Sequence, residues 1–589
     1  MAAAHLRRGS QSCSREGTRG KPETSLVFNH ILADISLPHP CPIARLPPLL
    51  LHLSKEPAEV GRVVRPNIRV GGALSLNVCL ASINPVHGNR THDTSIHSVD
   101  DDSLLNIFYL CRPNVFDESE DRDNRVIRGG GWGRECWWYK LVQVSQRWRN
   151  LILNSAAYLR LCLVCTRGTP VANMLAHSPP FPLIIDFDAP NQDLTAEDEE
   201  GVMIALQYRD RVRCIHLGVP VQSLEKIVTV MNDEFPMLEY MHIAPPTKHC
   251  TSLILPPKFE APQVRHIVLY HFASPIGSPL LASAVTLSTL LLRWMHPSTY
   301  PHPNDLLQTL SQLPQLQTLQ IGFRSPFQNS NIRRDVSLKF ISTHVSLPNL
   351  RWFAFAGVSE YLEALLSHMT TPLLVTLKVH FFHQLRFPVP CLQQFMTITE
   401  NLRFSIARFC FHDGGVAVWI YPRSETTIFS FYVHVLCEHF DWQVSSMAQI
   451  FDDLKEVFPT VVDLTIDYTE HTLSAEWHNQ ADRTLWRKLL GSFMNVKTLR
   501  VHEGLVGELS RSLRLDEEPA LQLLPELKEL VCPTGSHSDD TFSQFIRERE
   551  VAGRPINLIG SAFPVGRVNY VVHSPAGMSQ IRPDHVPVP

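Results

Sequence analysis

The sequence predicts an α/β chain in which a short helical module precedes a long stack of helix-and-strand repeats. Three observations predict it. A nine-residue apolar phrase returns from Phe235 onward, helix-like stretches precede several of its copies, and two amphipathic segments lie ahead of the first copy, around residues 100–111 and 137–153.

Size and composition set the frame. At ~150 residues per domain, 589 residues give a soft expectation of about four units. A hydrophobic content of 44% and a charged content of 19% belong to a folded chain. The net charge of -4 is too small to argue for nucleic acid or an anionic membrane, so neither is expected as a partner. The 13 cysteines are scattered and odd in number. That suits free thiols in a reducing compartment, cytoplasmic or nuclear, better than a disulfide framework. The longest apolar stretch, Pro279 to Leu292, includes Ser283, Thr286, Ser288 and Thr289 and stops at Arg293, short of the ~20 residues a membrane span needs. Residues 1–98 show no sustained periodicity and read as a low-order extension, with arginines at 7, 8, 15 and 19 but no apolar face.

The first amphipathic segment runs SVDDDSLLNIFYLCRP. Asp100 to Asp102 sit where a helix N-terminus favours negative charge, and Pro113 blocks continuation. Leu104, Ile107, Phe108 and Cys111 form one apolar stripe, and Leu105 and Tyr109 a second. In WWYKLVQVSQRWRNLIL, residues 137–153, the spacing of Leu141, Val144, Trp148, Leu151 and Ile152 predicts a single helix. Its arginines are expected to face water, and Trp137 and Trp138 to pin the intervening insertion, 112–136. So small a unit cannot bury both stripes itself, and surplus apolar surface marks a protein interface.

These residues carry a resemblance. Leu104, Leu105, Ile107, Phe108 and Leu110, followed by Val144, Ser145, Trp148, Arg149 and Leu151, resemble an F-box over residues 99–165. Family members commonly open with Leu-Pro and carry Val-Cys-x-x-Trp-Arg in the last helix. Here Val99-Asp100 and Ser145 stand in those places. The resemblance implies docking onto the Skp-type adaptor of a cullin-RING ubiquitin ligase through Leu104, Leu105, Ile107, Phe108, Val144, Trp148 and Leu151.

The repeated phrase reads FPMLEYMHI at 235, APQVRHIVL at 261, AVTLSTLLL at 284, LPQLQTLQI at 313, LPNLRWFAF at 347 and TPLLVTLKV at 371. FPTVVDLTI at 458, FMNVKTLRV at 493 and LPELKELVC at 524 complete it. Apart from one gap of 87 residues, the starts lie about 20–45 residues apart, as in solenoid repeats. The closing alternation suits a strand buried on one face, with proline expected at the strand entry. Helical patterns precede several copies, as in SLEKIVTVMNDEF, DLLQTLSQL, MAQIFDDLKEVF and TLWRKLLGSF. A helix-then-strand unit of this period resembles an irregular leucine-rich repeat, which implies one curved solenoid over 169–559 and an irregular tail over 560–589. PLIIDFD and RVRCIHLGV read as earlier strands, with Thr195 and Asp198 forming a capping box before a helix. Three β-like runs in the gap, LRFSIARFCF, GVAVWIYP and TIFSFYVHVL, are either an inserted hairpin sheet or distorted repeats.

No catalytic motif stands out, and the expected function is not enzymatic. No P-loop, G-x-S-x-G or H-E-x-x-H occurs. Cys162 and Cys165 would point to opposite faces of a strand. His434, Cys437 and His439 fall short of a closed zinc set. Asp186 and Asp188 share a strand face but read as carboxylates at a strand end. No cofactor and no metal are therefore expected. The two resemblances together imply the substrate receptor of a ubiquitin ligase, of the kind numerous in fungi, with the repeats holding an unknown target protein. The competing reading is a repeat scaffold whose F-box no longer binds an adaptor.

Overall fold

The computed structural model describes residues 99–111, 137–188, 194–246, 253–296, 300–324, 341–382, 384–412, 414–423, 429–437, 439–468, 482–514, 523–533 and 542–561. The N-terminal extension (1–98), the insertion (112–136) and the tail beyond 561 lie outside them. Two units divide the chain between Leu161 and Cys162.

Among its described residues the first unit has four short helices: α1 Asp101–Cys111, α2 Trp137–Leu141, α3 Gln146–Asn154 and α4 Ala156–Leu159. Asp100 caps α1, its carboxylate accepting from the Ser103 N–H and hydroxyl at 2.8 Å each. Those bonds hold the carboxyl below its usual range. Leu104, Phe108, Trp138, Trp148, Ile152 and Leu159 are the interior. Phe108 meets Trp148 edge-on at 4.9 Å.

The expected single helix over 137–153 is two helices. Residues 142–144 turn, and Ser145, in extended conformation, caps α3 by accepting from the Trp148 N–H at 3.2 Å. A serine able to bond the backbone ahead of it favours such a break over a continuous helix. Arg147 is not a solvent-facing side chain waiting for a partner. It reaches Asp101 at 2.7 Å and the Val99 carbonyl at 2.6 Å, tying the start of α1 to α3.

The second unit is built on one sheet. Its strands are β1 Leu163–Cys165, β2 Leu183–Asp188, β3 Val212–Gly218, β4 Tyr240–Ile243, β5 His266–Tyr270, β6 Thr289–Met295, β7 Thr318–Phe323, β9 Trp352–Gly357, β11 Thr376–Phe381, β12 Ile406–His412, β13 Gly415–Tyr421, β14 Phe431–Leu436, β15 Asp463–Tyr468, β16 Thr498–Val501, β17 Glu529–Pro533 and β18 Asn557–Ser561. The short β8 Val345–Ser346 and β10 Met369–Thr370 pair separately. Among the described residues the sheet has 16 strands, in order β1-β2-β3-β4-β5-β6-β7-β9-β11-β14-β13-β12-β15-β16-β17-β18. Every neighbouring pair is parallel except β12/β13 and β13/β14. All nine phrase copies supply strands of this sheet. It begins at Leu163, ahead of the expected 169.

The phrase is a turn followed by a strand. In each copy the fourth residue's N–H returns to the first residue's carbonyl, as in Leu316 to Leu313 at 3.2 Å. The second-position proline therefore occupies the second residue of a β-turn, where its fixed φ fits, and not the strand entry. The fifth residue opens the ladder by donating to the fifth-position carbonyl one copy back. Arg265 donates to Glu239, Ser288 to Arg265, Gln317 to Ser288, Arg351 to Gln317 and Val375 to Arg351, all at 2.8–2.9 Å. First, fourth, seventh and ninth side chains are buried in every copy. Asn349 and Asn495, both third-position residues, donate back to the Pro314 and Pro459 carbonyls of the preceding copies at 3.0 and 2.7 Å.

The gap holds a distorted repeat and an antiparallel excursion together. The Leu402 N–H returns to the Thr399 carbonyl, and Asn401 donates to the Pro372 carbonyl at 2.8 Å, as in a phrase. Two extra residues then delay β12, so that Ser405 accepts from the Val462 N–H. β13 and β14 run back from β12 to fill the sheet between β12 and β11.

Helices cover the apolar face. Those used below are α5 Val171–His177, α6 Ala196–Gln207, α7 Val221–Val230, α8 Pro279–Ser283, α9 Pro303–Ser311, α10 Ser359–Leu366, α11 Pro390–Ile398, α12 Phe440–Asp453, α13 Arg483–Gly491, α14 Val506–Leu513 and α15 Ser543–Val551. Thr195 caps α6 by accepting from the Asp198 N–H. Phe409 of β12 meets Phe451 of α12 at 5.0 Å, while Phe411 meets Phe440 of α12 and Trp486 of α13. In α15 the buried Arg549 donates to the Leu524, Pro525 and Leu527 carbonyls, closing the last phrase turn. Among the described residues no helix is long and apolar enough to cross a membrane.

Trp486 has no exposed surface and joins the gap strands to the next repeat. Trp486→Ala is expected to cost ~3–5 kcal/mol. A denaturant titration should show a lower midpoint for the whole sheet unit, not only for its C-terminal end.

Candidate functional site

Strand side chains alternate, so the face opposite the helices is fixed by register. One row across it runs Asp186, His216, His242, Val268, Leu291, Gln320, Ala354, Lys378, Tyr432, Trp419, Arg408, Thr465, Arg500. The adjoining row includes Asp188, Gly218, Tyr270, Arg293, Gly322, Ala356, His380, His434, Ala417, Cys410 and Asp467. These are the residues between and beyond the buried seventh and ninth positions.

At the β2 end, Asp186 and Asp188 are not simply solvated carboxylates at a strand end. Asp186 Oδ1 lies 2.8 Å from His216 Nδ1, and Asp188 Oδ2 lies 3.6 Å from His216 Nε2. A Cβ at Gly218 would collide with the Asp188 carboxylate, so a larger residue there would displace that side chain from His216. His216 stacks toward His242 with centroids 4.6 Å apart. Burial, then the neighbouring His216 and Arg293, drives the His242 pKa well below the ordinary histidine value.

Further along, Arg293 of β6 is held by two neutral groups, the Tyr270 hydroxyl at 2.6 Å and Gln320 Oε1 at 2.7 Å. Lys378 of β11 stands over the Tyr432 ring at 5.2 Å. His380, His434 and His412 form a chain across β11, β14 and β12. His380 Nδ1 is 3.4 Å from His434 Nδ1, and His434 Nε2 is 3.3 Å from His412 Nε2. Gly415 makes room for it: its φ is +155°, and a Cβ would collide with the Val435 carbonyl and come within 3.0 Å of His434 Nε2. Burial, then His412 and Lys378, lowers His434 to about 3. Burial, then Lys378, His434 and Arg293, takes His380 well below the ordinary value.

His434 therefore keeps company with histidines on other strands and not with Cys437 and His439. Cys437 Sγ instead lies 3.5 Å from the His439 carbonyl, and His439 stacks on Trp442. Cys162 and Cys165 are both buried free thiols. Among the described residues no group of three or more His, Cys, Asp or Glu is arranged to hold a metal ion.

The residues tied to the F-box resemblance lie in the helical unit. Leu104, Phe108 and Trp148 are interior, Leu105, Ile107 and Leu151 are half-buried, and Val144 is exposed on the turn before α3. Tyr109, Leu110 and Tyr158 are exposed as well. Tyr109 and Tyr158 stack at 5.3 Å, and the Tyr158 hydroxyl bonds Asn106. Sequence reasoning had not singled out His216, His242, Arg293, Lys378, His380 or His412. The signal was the eighth phrase position, which holds His242, Gln320, Lys378 and Arg500 between buried neighbours.

No protein-family model and no curated protein matches the chain. Among solved structures it is similar to TLR13 in complex with ssRNA13, at 11% identity and a TM-score of 0.26, over 68% of this chain and 48% of that one. This chain thus spans about half of that protein's length. It is also similar to the leucine-rich repeat-containing protein LegL7 from Legionella pneumophila, at 12% identity and a TM-score of 0.24, over 66% and 97% of the two chains. The leucine-rich-repeat-like character of the sheet unit rests on its own strand register.

The buried histidines give stability a pH dependence. Unfolded, each titrates near ~6.5, whereas folded His434 stays neutral to about pH 3 and His271 to about pH 4. Their lowered values leave stability intact above pH 6.5 and erode it as pH falls toward 4, because only the unfolded chain takes up the protons. The melting temperature should therefore drop between pH 6.5 and 4, and the drop should be shallower in His434→Gln.

Proposed function

We propose that the chain is a binding scaffold that serves as substrate receptor of a cullin-RING ubiquitin ligase. On this reading the helical unit docks a Skp-type adaptor and the sheet unit holds a target protein. The chain supplies no chemistry of its own and acts by proximity, raising the effective concentration of the target at the ligase.

The observation that carries the reading is the surface of the helical unit. Among the described residues, short helices enclose Phe108 and Trp148, yet Tyr109, Leu110, Val144 and Tyr158 are each about half exposed, at 46%, 49%, 58% and 50%. A unit this small that exposes so many large apolar groups matches an interface. Asp100 and Ser145, which stand where the F-box pattern has other residues, each cap a helix, so those departures support the fold. Leu104, Phe108 and Trp148 contribute to docking by holding that fold, while Leu105, Ile107, Val144 and Leu151 meet the adaptor.

Co-expression with a Skp-type adaptor tests this. Wild type should retain the adaptor at micromolar concentration. Val144→Asp and Leu105→Ala should each weaken retention by an amount equivalent to ~2 kcal/mol while leaving the melting temperature nearly unchanged. Wild-type chain that retains no adaptor would leave a repeat scaffold without a ligase.

A further inference from the structure

Two histidines stand at the same position of consecutive repeats. His344 lies three residues ahead of the phrase at 347, and His368 three residues ahead of the phrase at 371. Equal positions in successive copies come to lie side by side, about one strand spacing of ~4.8 Å apart. His344 Nε2 and His368 Nδ1 face each other at 3.2 Å, with ring centroids 4.4 Å apart and planes at 53°.

The backbone on both sides of the pair is fixed. The Val345 N–H donates to the His368 carbonyl at 2.9 Å, and β8 and β10 pair directly after the two histidines. Ahead of His344, the Ser342 and Thr343 N–H groups donate to Asn304 Oδ1 in the first turn of α9. The His368 N–H donates to the Leu365 carbonyl at the end of α10. Val345 and Met369, the next residues, are buried, so strand alternation turns both histidines outward. Accordingly His344 is exposed and His368 half-buried.

Two neutral imidazoles in contact share one proton, since one nitrogen must donate and the other accept. One lone pair therefore already points into the gap. When the shared proton moves to the outer nitrogen of its own ring, a tautomer change that alters no charge, both lone pairs face the gap. Two nitrogens bound at ~2.0–2.1 Å to one tetrahedral ion stand ~3.3 Å apart, close to the separation already present. Imidazole suits zinc, copper and nickel, whereas magnesium prefers oxygen and keeps its water.

We propose that His344 and His368 form a two-histidine site for a divalent transition ion of the zinc class. A pair falls below the three protein ligands of a catalytic centre and the four of a closed structural one, so water fills the remaining positions and the ion exchanges. Once bound, the ion joins the approach to β8 to the approach to β10 and so ties two consecutive repeats together. Only the folded chain brings the two imidazoles side by side, so the ion stabilises the sheet unit in proportion to its concentration. The site does not depend on the adaptor-docking surface of the helical unit.

The test titrates the full chain, carrying no polyhistidine tag, with ZnCl2 and separately with MgCl2, and reads calorimetry and melting temperature. Zinc should bind and raise the melting temperature, and magnesium should do neither. His344→Gln and His368→Gln should each weaken zinc binding at least roughly tenfold, because the second imidazole acts on the ion at high effective concentration. Each should also remove the zinc-dependent rise in melting temperature. The double variant should bind little worse than either single one, as expected of two groups that act as a unit. Circular dichroism without metal confirms that the variants fold; if His368→Gln fails to fold, His344→Gln alone decides. Absence of zinc binding, or zinc binding equal in wild type and His344→Gln, overturns the proposal and leaves the pair a hydrogen bond between neutral rings. Magnesium binding as tight as that of zinc overturns it as well.

Discussion

The sheet unit depends on one constraint: each phrase must turn before it can pair. The bond from the fourth residue's N–H to the first residue's carbonyl compacts the chain, and only then does the fifth residue meet the fifth of the copy before it. That meeting fixes the register of every following strand. With register fixed, the seventh and ninth side chains fall on the helix-covered face in every copy. A slip of one residue would send Leu319 and Ile321 to the polar face and Gln320 to the core.

Because the apolar face carries the stability, the other face is free to carry chemistry. Asp186, His216 and Asp188 interlock at one end, Arg293 is clasped by Tyr270 and Gln320 in the middle, and three histidines adjoin across β11, β14 and β12. None of these contacts lies within one repeat. Each joins different strands, adjacent ones except for His434 and His412, which meet across β13, so the face exists only once the stack has formed.

Much of this was legible in the sequence. The nine phrases, the helices before them and the strands at PLIIDFD and RVRCIHLGV announce themselves by period alone. Proline at the second position was legible as a signal but misplaced, because a turn and a strand entry tolerate proline for different reasons. The break at Ser145 was hidden by an apolar spacing that continues across two helices. The gap resisted because its phrase, at Thr399 to Ser405, carries Ser405 where the seventh position is otherwise apolar and delays its strand by two positions. The polar face was hidden for a plainer reason: His380, His412 and His434 are up to 54 residues apart in sequence, and only sheet order brings them together.

The central claim is that the gap segment is part of the same sheet and core as the regular repeats. Hydrogen exchange with peptide resolution tests it most directly. The claim predicts that amides in 406–412, 415–421 and 431–436 are protected as strongly as those in 318–323 and 352–357, and are released with them in a single global opening. Faster exchange confined to residues 399–436, with the flanking repeats still protected, would contradict it.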